Sequence, residues 1–269
     1  MRAVLFAFVF FGAQLTGATL RVDTLNAWDK YIRAAESRLE HSARSKDGFL
    51  IIDSEQSCIG RLRAGEIVVA PSLQSPLRIP GGLIHDWTGT VFIPNATLDD
   101  VFGVVNDYDH YSRYYKPGVL DSQSAGPAAF EIVLTNTGVF GKTVKASESV
   151  KEVRIDNRRR YTVTSSTRIQ EIEDYGRPDQ HLLPPDEGSG YLWRIYSIAK
   201  YEARDGGVYV EVEAIALSRD IPIAFKWIAE PIVKRVSRSS LETALQQTRD
   251  AILTNSPSRA IVAQRLSFR

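Results

Sequence analysis

Apolar and polar positions alternate along the second half of the chain in a way that predicts an antiparallel sheet. Alternation with period two marks five segments, at 130–137, 144–153, 160–169, 191–203 and 208–217. Asp205-Gly206-Gly207 joins the last two segments, which is typical of a β-hairpin. An earlier strand is predicted at 83–93, and two short ones at 49–53 and 66–70.

Four other segments repeat their apolar residues every three or four positions, which predicts amphipathic helices. The first covers 24–43, and we expect it to pack on the edge of the domain, with a partner or a membrane surface as the alternative. Short helices are predicted at 98–105 and 108–115. The last helix covers 223–252, and Pro231 is expected to bend or restart it because proline lacks a backbone donor.

The N-terminus has the pattern of an export signal. A positive start, a short apolar run and a small-residue exit predict a signal peptide at 1–18, cleaved after Ala18, and therefore a secreted or periplasmic protein. An uncleaved membrane anchor is the alternative. The rest divides into an N-terminal helix with short strands at 19–80, a main domain at 81–256 and a tail at 257–269, because prolines and glycines punctuate the chain near position 80.

Composition narrows the choice of partners. The net charge is +1, with 33 basic and 32 acidic residues, so nucleic acid is not expected as a partner. Cys58 is the only cysteine, which excludes an intramolecular disulfide. We expect Cys58 to pack as a small apolar residue, since its neighbours do not form the positive setting that a reactive thiol needs.

The sequence predicts no metal site and no cofactor. His85 and Asp86 are adjacent on a strand, so their side chains should point to opposite faces. Paired C-x-x-C spacing, the H-E-x-x-H motif, a phosphate-binding glycine loop and a G-x-S-x-G turn are all missing from the sequence.

Three stretches carry a family resemblance, at 84–119, 190–198 and 207–222. The first contains a D-Y-x-x-Y element, Asp107-Tyr108-Asp109-His110-Tyr111, after a strand that leads into a helix pair. In this order of elements the chain resembles the START-like, SRPBCC superfamily over about 83–255. The resemblance implies an α+β, helix-grip fold, in which a curved antiparallel sheet wraps around a long C-terminal helix, here with an N-terminal helical extension.

The resemblance also implies an apolar tunnel beneath the C-terminal helix. Members carry lipids, sterols or quinones, bind plant hormones, or cyclise polyketides, and they share no universal catalytic residue that could be transferred here. Candidate ligand contacts are aromatic, apolar and cationic side chains near the predicted tunnel, namely Trp87, Tyr108, Tyr111, Tyr115, Trp193, Arg194, Val210, Val212, Ala214, Trp227 and Ile228.

The strand at 208–217 has one apolar parity and one that carries Glu211 and Glu213. Alternation predicts that the apolar set faces inward and that the two glutamates face solvent. The alternative is that both glutamates point inward against Arg194 and anchor a ligand head group, at the cost of burying charge.

Three functions follow from these patterns. The first is an exported START-like protein that binds or carries a lipid or another hydrophobic small molecule, with transient membrane contact and without enzymatic activity. The second is a cyclase or hydratase-type enzyme that uses the same pocket, with its acid or base among Glu211, Glu213, Arg194 and His85. The third is a cavity-free module that binds another protein through an exposed Trp28 stripe.

Overall fold

One antiparallel sheet dominates the computed structural model. The structure describes residues 19–45, 48–72, 74–135, 142–220 and 226–255, without the side chains at 56, 226–230 and 232–233. In the described residues the strands are β1 (Val68–Pro71), β2 (Leu77–Ile79), β3 (Gly82–Pro94), β4 (Val119–Gly126), β5 (Ala129–Thr135), β6 (Thr143–Arg154), β7 (Arg159–Glu173), β8 (His181–Leu182), β9 (Arg194–Arg204) and β10 (Gly207–Arg219). Their order is β1-β3-β10-β9-β7-β6-β5-β4, with β2 on β3 and β8 on β7.

The helices flank this sheet. They are α1 (Val22–Arg44), α2 (Gln56–Arg63), α3 (Leu98–Val105), α4 (Tyr111–Tyr114) and α5 (Lys226–Asn255), with 3₁₀ turns at Ile51–Ser54 and Tyr108–His110. Strand β3 leads into the short helical pair, and α5 follows the last strand. This is the helix-grip order, so the predicted α+β fold is confirmed. The predicted signal peptide at 1–18 and the tail at 257–269 lie outside the described residues.

Helix α5 packs on the concave face of the sheet, where it contacts β3, β1, α3 and α4. Leu241 and Leu245 join a buried cluster with Val91 and Val210 from the sheet. Gly89 makes this contact possible, because a Cβ atom at that position would lie 2.5 Å from Leu245 Cδ1. The absence of a side chain at Gly89 thus lets the helix approach the strand closely.

Replacing Gly89 by alanine is expected to lower the free energy of unfolding by about 1–3 kcal/mol, because the new methyl group overpacks a filled contact. Urea unfolding followed by circular dichroism measures the change. Gly103→Ala is the control, since a Cβ atom there meets nothing within 4 Å. Alanine favours a helix over glycine, so Gly103→Ala should stabilise the protein by about 0.5–1 kcal/mol. Equal effects of the two substitutions would contradict the packing role of Gly89.

The N-terminal elements cover the convex face of the sheet. Trp28, Ala35 and Leu39 of α1 are buried against Ile84 and Leu217. Further along, Phe49, Leu50, Ile52, Cys58 and Leu62 pack on Phe92 and Tyr209. The expectation that the first helix packs at the edge of the domain is therefore wrong. Trp28 is 6% exposed, which also removes the exposed stripe that a protein-binding helix would need.

Several local predictions need correction. The segment at 49–53 forms a 3₁₀ turn at Ile51–Ser54 instead of a strand, and α2 follows it. Strands β2 and β4 were not predicted. Strands β1 and β2, which precede the predicted boundary near position 80, are hydrogen-bonded to β3 and share its sheet. Pro231 does not restart the last helix, because α5 is continuous through it.

Candidate functional site

A second apolar cluster lies on the concave face, across β5, β6, β7 and the start of β9. Its buried members are Tyr108, Val119, Phe130, Ile132, Val144, Ala146 and Ile169. Six further side chains pack against them but are only partly buried, namely Tyr111, Tyr115, Leu134, Val150, Leu192 and Ile195. We call this surface the concave basin. The apolar side chains of the basin lie on the helix side of the sheet, and six of them keep part of their surface exposed.

Strand register explains why these side chains meet. Opposite residues on neighbouring strands point to the same face, and every second residue of a strand shares that face. Leu134 is opposite Val144, and Ile132 is opposite Ala146, in the β5–β6 ladder. Ile169 of β7 is opposite Ala146 on its other side. Alternation in three strands therefore places one continuous apolar strip on the face that α5 covers further along the sheet.

Aromatic side chains from the short helical segments close one side of the basin. Tyr108 stacks on Phe130, with 4.7 Å between ring centroids and 13° between planes. Tyr111 meets Phe130 and Tyr115 edge to face. The Tyr115 hydroxyl is 3.1 Å from Thr248 Oγ1 on α5. Burial raises the pKa of both Tyr111 and Tyr115, so both phenols stay neutral.

One carboxyl group interrupts the apolar strip. Glu148 lies on the same face of β6 as Ala146 and Val150, opposite Phe130 and Ser166. It is 4% exposed, and its Oε2 atom has no hydrogen-bond partner among the described residues. Burial raises the pKa of Glu148 from 4.5 to about 8. The basin therefore contains a buried carboxylic acid that is neutral at pH 7.

Glu148 was missed by the sequence analysis, although the pattern contained the signal. Positions 144, 146, 148 and 150 share one parity, and three of them are apolar. A glutamate on the inward parity of a strand marks a buried acid. The only glutamates predicted as candidates were Glu211 and Glu213 of the last strand.

Three other polar side chains on the concave face, Ser166, Tyr201 and His85, have partners among the described residues. The Ser166 hydroxyl accepts from the Ile195 backbone N–H at 2.9 Å and donates to its carbonyl, where the β7–β9 ladder ends. The Tyr201 hydroxyl is 3.2 Å from Thr162 Oγ1. His85 Nε2 is 2.9 Å from Ser218 Oγ, and burial lowers the pKa of His85 to about 4, so the ring is neutral at pH 7.

Most of the predicted contact residues lie on the helix side of the sheet. Tyr108, Tyr111 and Tyr115 border the basin. Trp87 and Val210 are buried in the neighbouring cluster beneath α5, and the partly buried residues Val212 and Ala214 pack against that cluster. Trp227 and Ile228 belong to α5, but their side chains lie outside the described part. The inward parity predicted for the last strand is confirmed.

Trp193 and Arg194 do not face the basin, and their assignment to it is corrected. Trp193 is buried with Trp28 in the apolar cluster on the convex face. It precedes β9, so the alternation of side chains along that strand does not set its direction. Arg194 binds Asp186 through two hydrogen bonds, of 2.5 and 3.2 Å. It lines a groove of about 260 Å³ beneath α1 on the convex side.

The two glutamates of β10 also need correction, since neither faces open solvent nor meets Arg194. Glu211 is 1% exposed on the convex face, where it accepts from the Ile51 backbone N–H at 2.9 Å and lies 3.4 Å from Lys200 Nζ. Glu213 accepts from Arg38 of α1 at 2.6 Å. The N-terminal elements supply both partners, so these carboxylates attach that layer to the sheet.

Cys58 is buried, and its sulfur lies 3.2 Å from Glu55 Oε2. The hydrogen bond to Glu55, together with burial, raises the pKa of the Cys58 thiol, which is opposite to what a nucleophile needs.

Among the described residues, no three His, Cys, Asp or Glu side chains are grouped to hold a metal ion. None of the described helices is both long enough and apolar enough to cross a membrane.

No family model matches the sequence, and neither does any curated protein. Solved structures of similar fold include a STAR-related lipid transfer protein fragment from Xanthomonas axonopodis, at 20% identity and a TM-score of 0.45 over 69% of this chain and 93% of that one. A START superfamily protein from Mycobacterium smegmatis has 12% identity and a TM-score of 0.42 over 63% of this chain and 97% of that one. Human STARD10 has 10% identity and a TM-score of 0.40 over 78% of this chain and 82% of that one. Similarities at these values carry no argument about a ligand or an activity. Any such argument must be made from the residues of the site.

Proposed function

We propose that this protein binds or carries a lipid or another hydrophobic small molecule in the concave basin. The observation that carries the proposal is the set of six partly buried apolar and aromatic side chains on the helix side of the sheet. Covering such a surface removes apolar area from water, which contributes roughly 25 cal/mol per Å². A hydrophobic ligand lying along β5, β6 and β7 would supply that cover.

An enzyme of cyclase or hydratase type is less well supported. Such an enzyme needs an acid and a base close to one substrate. His85 and Glu148 lie in one row across the sheet, through Ala216, Ile195 and Ser166. Four strand spacings separate them, which is about 19 Å along the sheet. The favoured role of the basin is therefore binding.

The proposal includes export, supported by the charged, apolar and small-residue segments at the N-terminus. Export would place a lipid-binding protein outside the cytoplasm, in the periplasm or the medium. A purified chain that starts at Thr19 would agree with cleavage after Ala18. A chain that retains its first 18 residues would favour the anchor.

Native mass spectrometry of protein purified without detergent tests the carrier proposal and reads the start of the chain. We expect additional mass that organic extraction removes and identifies as a lipid or a related apolar molecule. Ile195→Trp should abolish it, because the larger side chain fills the basin. Leu182→Trp is the matched control, since Leu182 is 45% exposed on β8 and should leave binding unchanged. Protein that stays free of ligand after incubation with lipid extract would contradict the proposal.

A further inference from the structure

Burial of Glu148 has an energetic cost that no hydrogen bond to its Oε2 atom offsets among the described residues. Burying a polar group without a hydrogen bond destabilises the folded state, and burying an unpaired charge destabilises it more. Oε2 has no hydrogen-bond partner among the described residues. Of the two residues opposite Glu148, Phe130 is apolar, and the Ser166 hydroxyl donates its proton to the Ile195 carbonyl and so cannot donate to Oε2. A group retained at such a cost is explained if a ligand completes its hydrogen bonds.

We infer that Glu148, as a neutral carboxylic acid, donates its O–H to an uncharged oxygen on the head of the ligand, a carbonyl or a hydroxyl group. This inference rests on the proposed binding function and narrows it to a class of ligand. The apolar body would lie against Val150, Leu134 and Ile195, and the polar oxygen would reach the centre of the strip. Glu148 would then select for a neutral, oxygen-bearing hydrophobic molecule.

The other titratable groups on this face do not change the charge that the ligand head would meet. In the described residues they include Tyr108, Tyr111, Tyr115, Tyr201, His85, Lys142, Glu152, Arg154, Arg160 and Glu171. Arg160 pairs with Glu152, and Lys142 pairs with Glu171. Glu152 is four residues from Glu148 along β6, and Glu171 is opposite Val144, which places each roughly 14 Å away.

The same geometry disfavours a charged head group. An anionic head would meet a carboxyl group that, among the described side chains, has no cation beside it. A quaternary ammonium would need open aromatic faces around it. Tyr108 and Phe130 stack on each other at 4.7 Å, and Tyr111 meets both of them edge to face, so these rings are engaged with one another. A neutral acceptor is the head group that fits a neutral acid donor.

Displacement of the neutral dye N-phenyl-1-naphthylamine tests the inference on delipidated full-length protein. Four competitors share one chain length and differ in head group: decan-2-one, decane, decanoate and decyltrimethylammonium. At pH 6.5 we expect Glu148→Leu to lower the affinity for decan-2-one about tenfold, which is the effect of losing one hydrogen bond of about 1.4 kcal/mol. The affinity for decane should not fall. Glu148→Gln should retain most of the affinity, since its amide still donates.

Raising the pH to 9.5 provides a second readout. Ionisation removes the O–H donor, so the wild type should lose affinity for decan-2-one while Glu148→Gln does not. Glu202→Gln is the matched control, because Glu202 is a buried glutamate on the convex face. Equal affinity for decan-2-one in the wild type and Glu148→Leu would overturn the inference and leave the carrier proposal standing, provided that dye and decane bind. Binding of decanoate or decyltrimethylammonium to the wild type more tightly than decan-2-one would also overturn the inference. Failure of every probe to bind would overturn both.

Discussion

Replacing Lys200 by methionine is expected to lower the free energy of unfolding by about 3–5 kcal/mol at pH 7, because it removes one partner of a buried ion pair. Glu211 is 1% exposed, and Lys200 Nζ lies 3.4 Å from its Oε1 atom. Burial raises the pKa of Glu211, and the Lys200 ammonium opposes that rise. Without the ammonium, the folded protein must hold a buried carboxylate that has hydrogen bonds but has lost its cationic partner, or take up a proton. Urea unfolding followed by circular dichroism gives the change.

The double variant Lys200→Met with Glu211→Gln separates charge from packing. Its neutral amide can still accept from the Ile51 backbone N–H, so we expect most of the lost stability to return. Lys145→Met is the matched control, because Lys145 pairs with Glu131 at 2.9 Å in a more exposed setting and should cost far less. A loss at Lys200 no larger than the loss at Lys145 would refute the assignment of Glu211 and Lys200 as a buried pair.

The convex layer shows where prediction from local pattern ends. Alternation assigned the faces of β10 correctly, but a glutamate on a strand is normally read as facing water. The cover over Glu211 and Glu213 comes from Ile51 and Arg38, about 160 and 175 residues away in sequence. No local periodicity contains such a contact. The pattern could say which face was which, but not that a second layer covered the polar one.

The basin shows the opposite case. Tyr108, Tyr111 and Tyr115 were predicted as ligand contacts near the tunnel, and the structure places them together at the basin. Trp193 was assigned by extending an alternation beyond the first residue of β9, where the chain no longer follows it. Glu148 was readable from parity but was overlooked. Register between strands, which decides what lies opposite Glu148, could not be read from the sequence because it depends on long-range pairing.

The wild-type protein is expected to lose stability as the pH rises from about 5 to about 8, and Glu148→Gln should not share this loss. Burial raises the pKa of Glu148 from 4.5 to about 8, so the folded state holds a proton that the unfolded state releases. Between these two pKa values the folded state binds more protons than the unfolded state, so the free energy of unfolding falls as the pH rises. Above about pH 8 the group is ionised in both states, and the loss of stability is constant. The total fall in the free energy of unfolding that this pKa difference produces is about 5 kcal/mol.

Urea unfolding of both proteins at pH 5, 7 and 9 measures the difference between their curves. Titrations common to both proteins cancel in that difference, including His85, whose lowered pKa of about 4 costs stability below about pH 6.5, and Asp86, whose pKa burial raises to about 6. The two curves should diverge from pH 5 to pH 8, with the glutamine variant gaining stability relative to the wild type. Parallel curves would show that Glu148 is solvated or paired in the folded protein, and the basin would then lack its buried acid. A bound neutral ketone should increase the difference between the two proteins at high pH. It binds the wild type more weakly once Glu148 is ionised, whereas its affinity for the glutamine variant does not change with the ionisation of that residue.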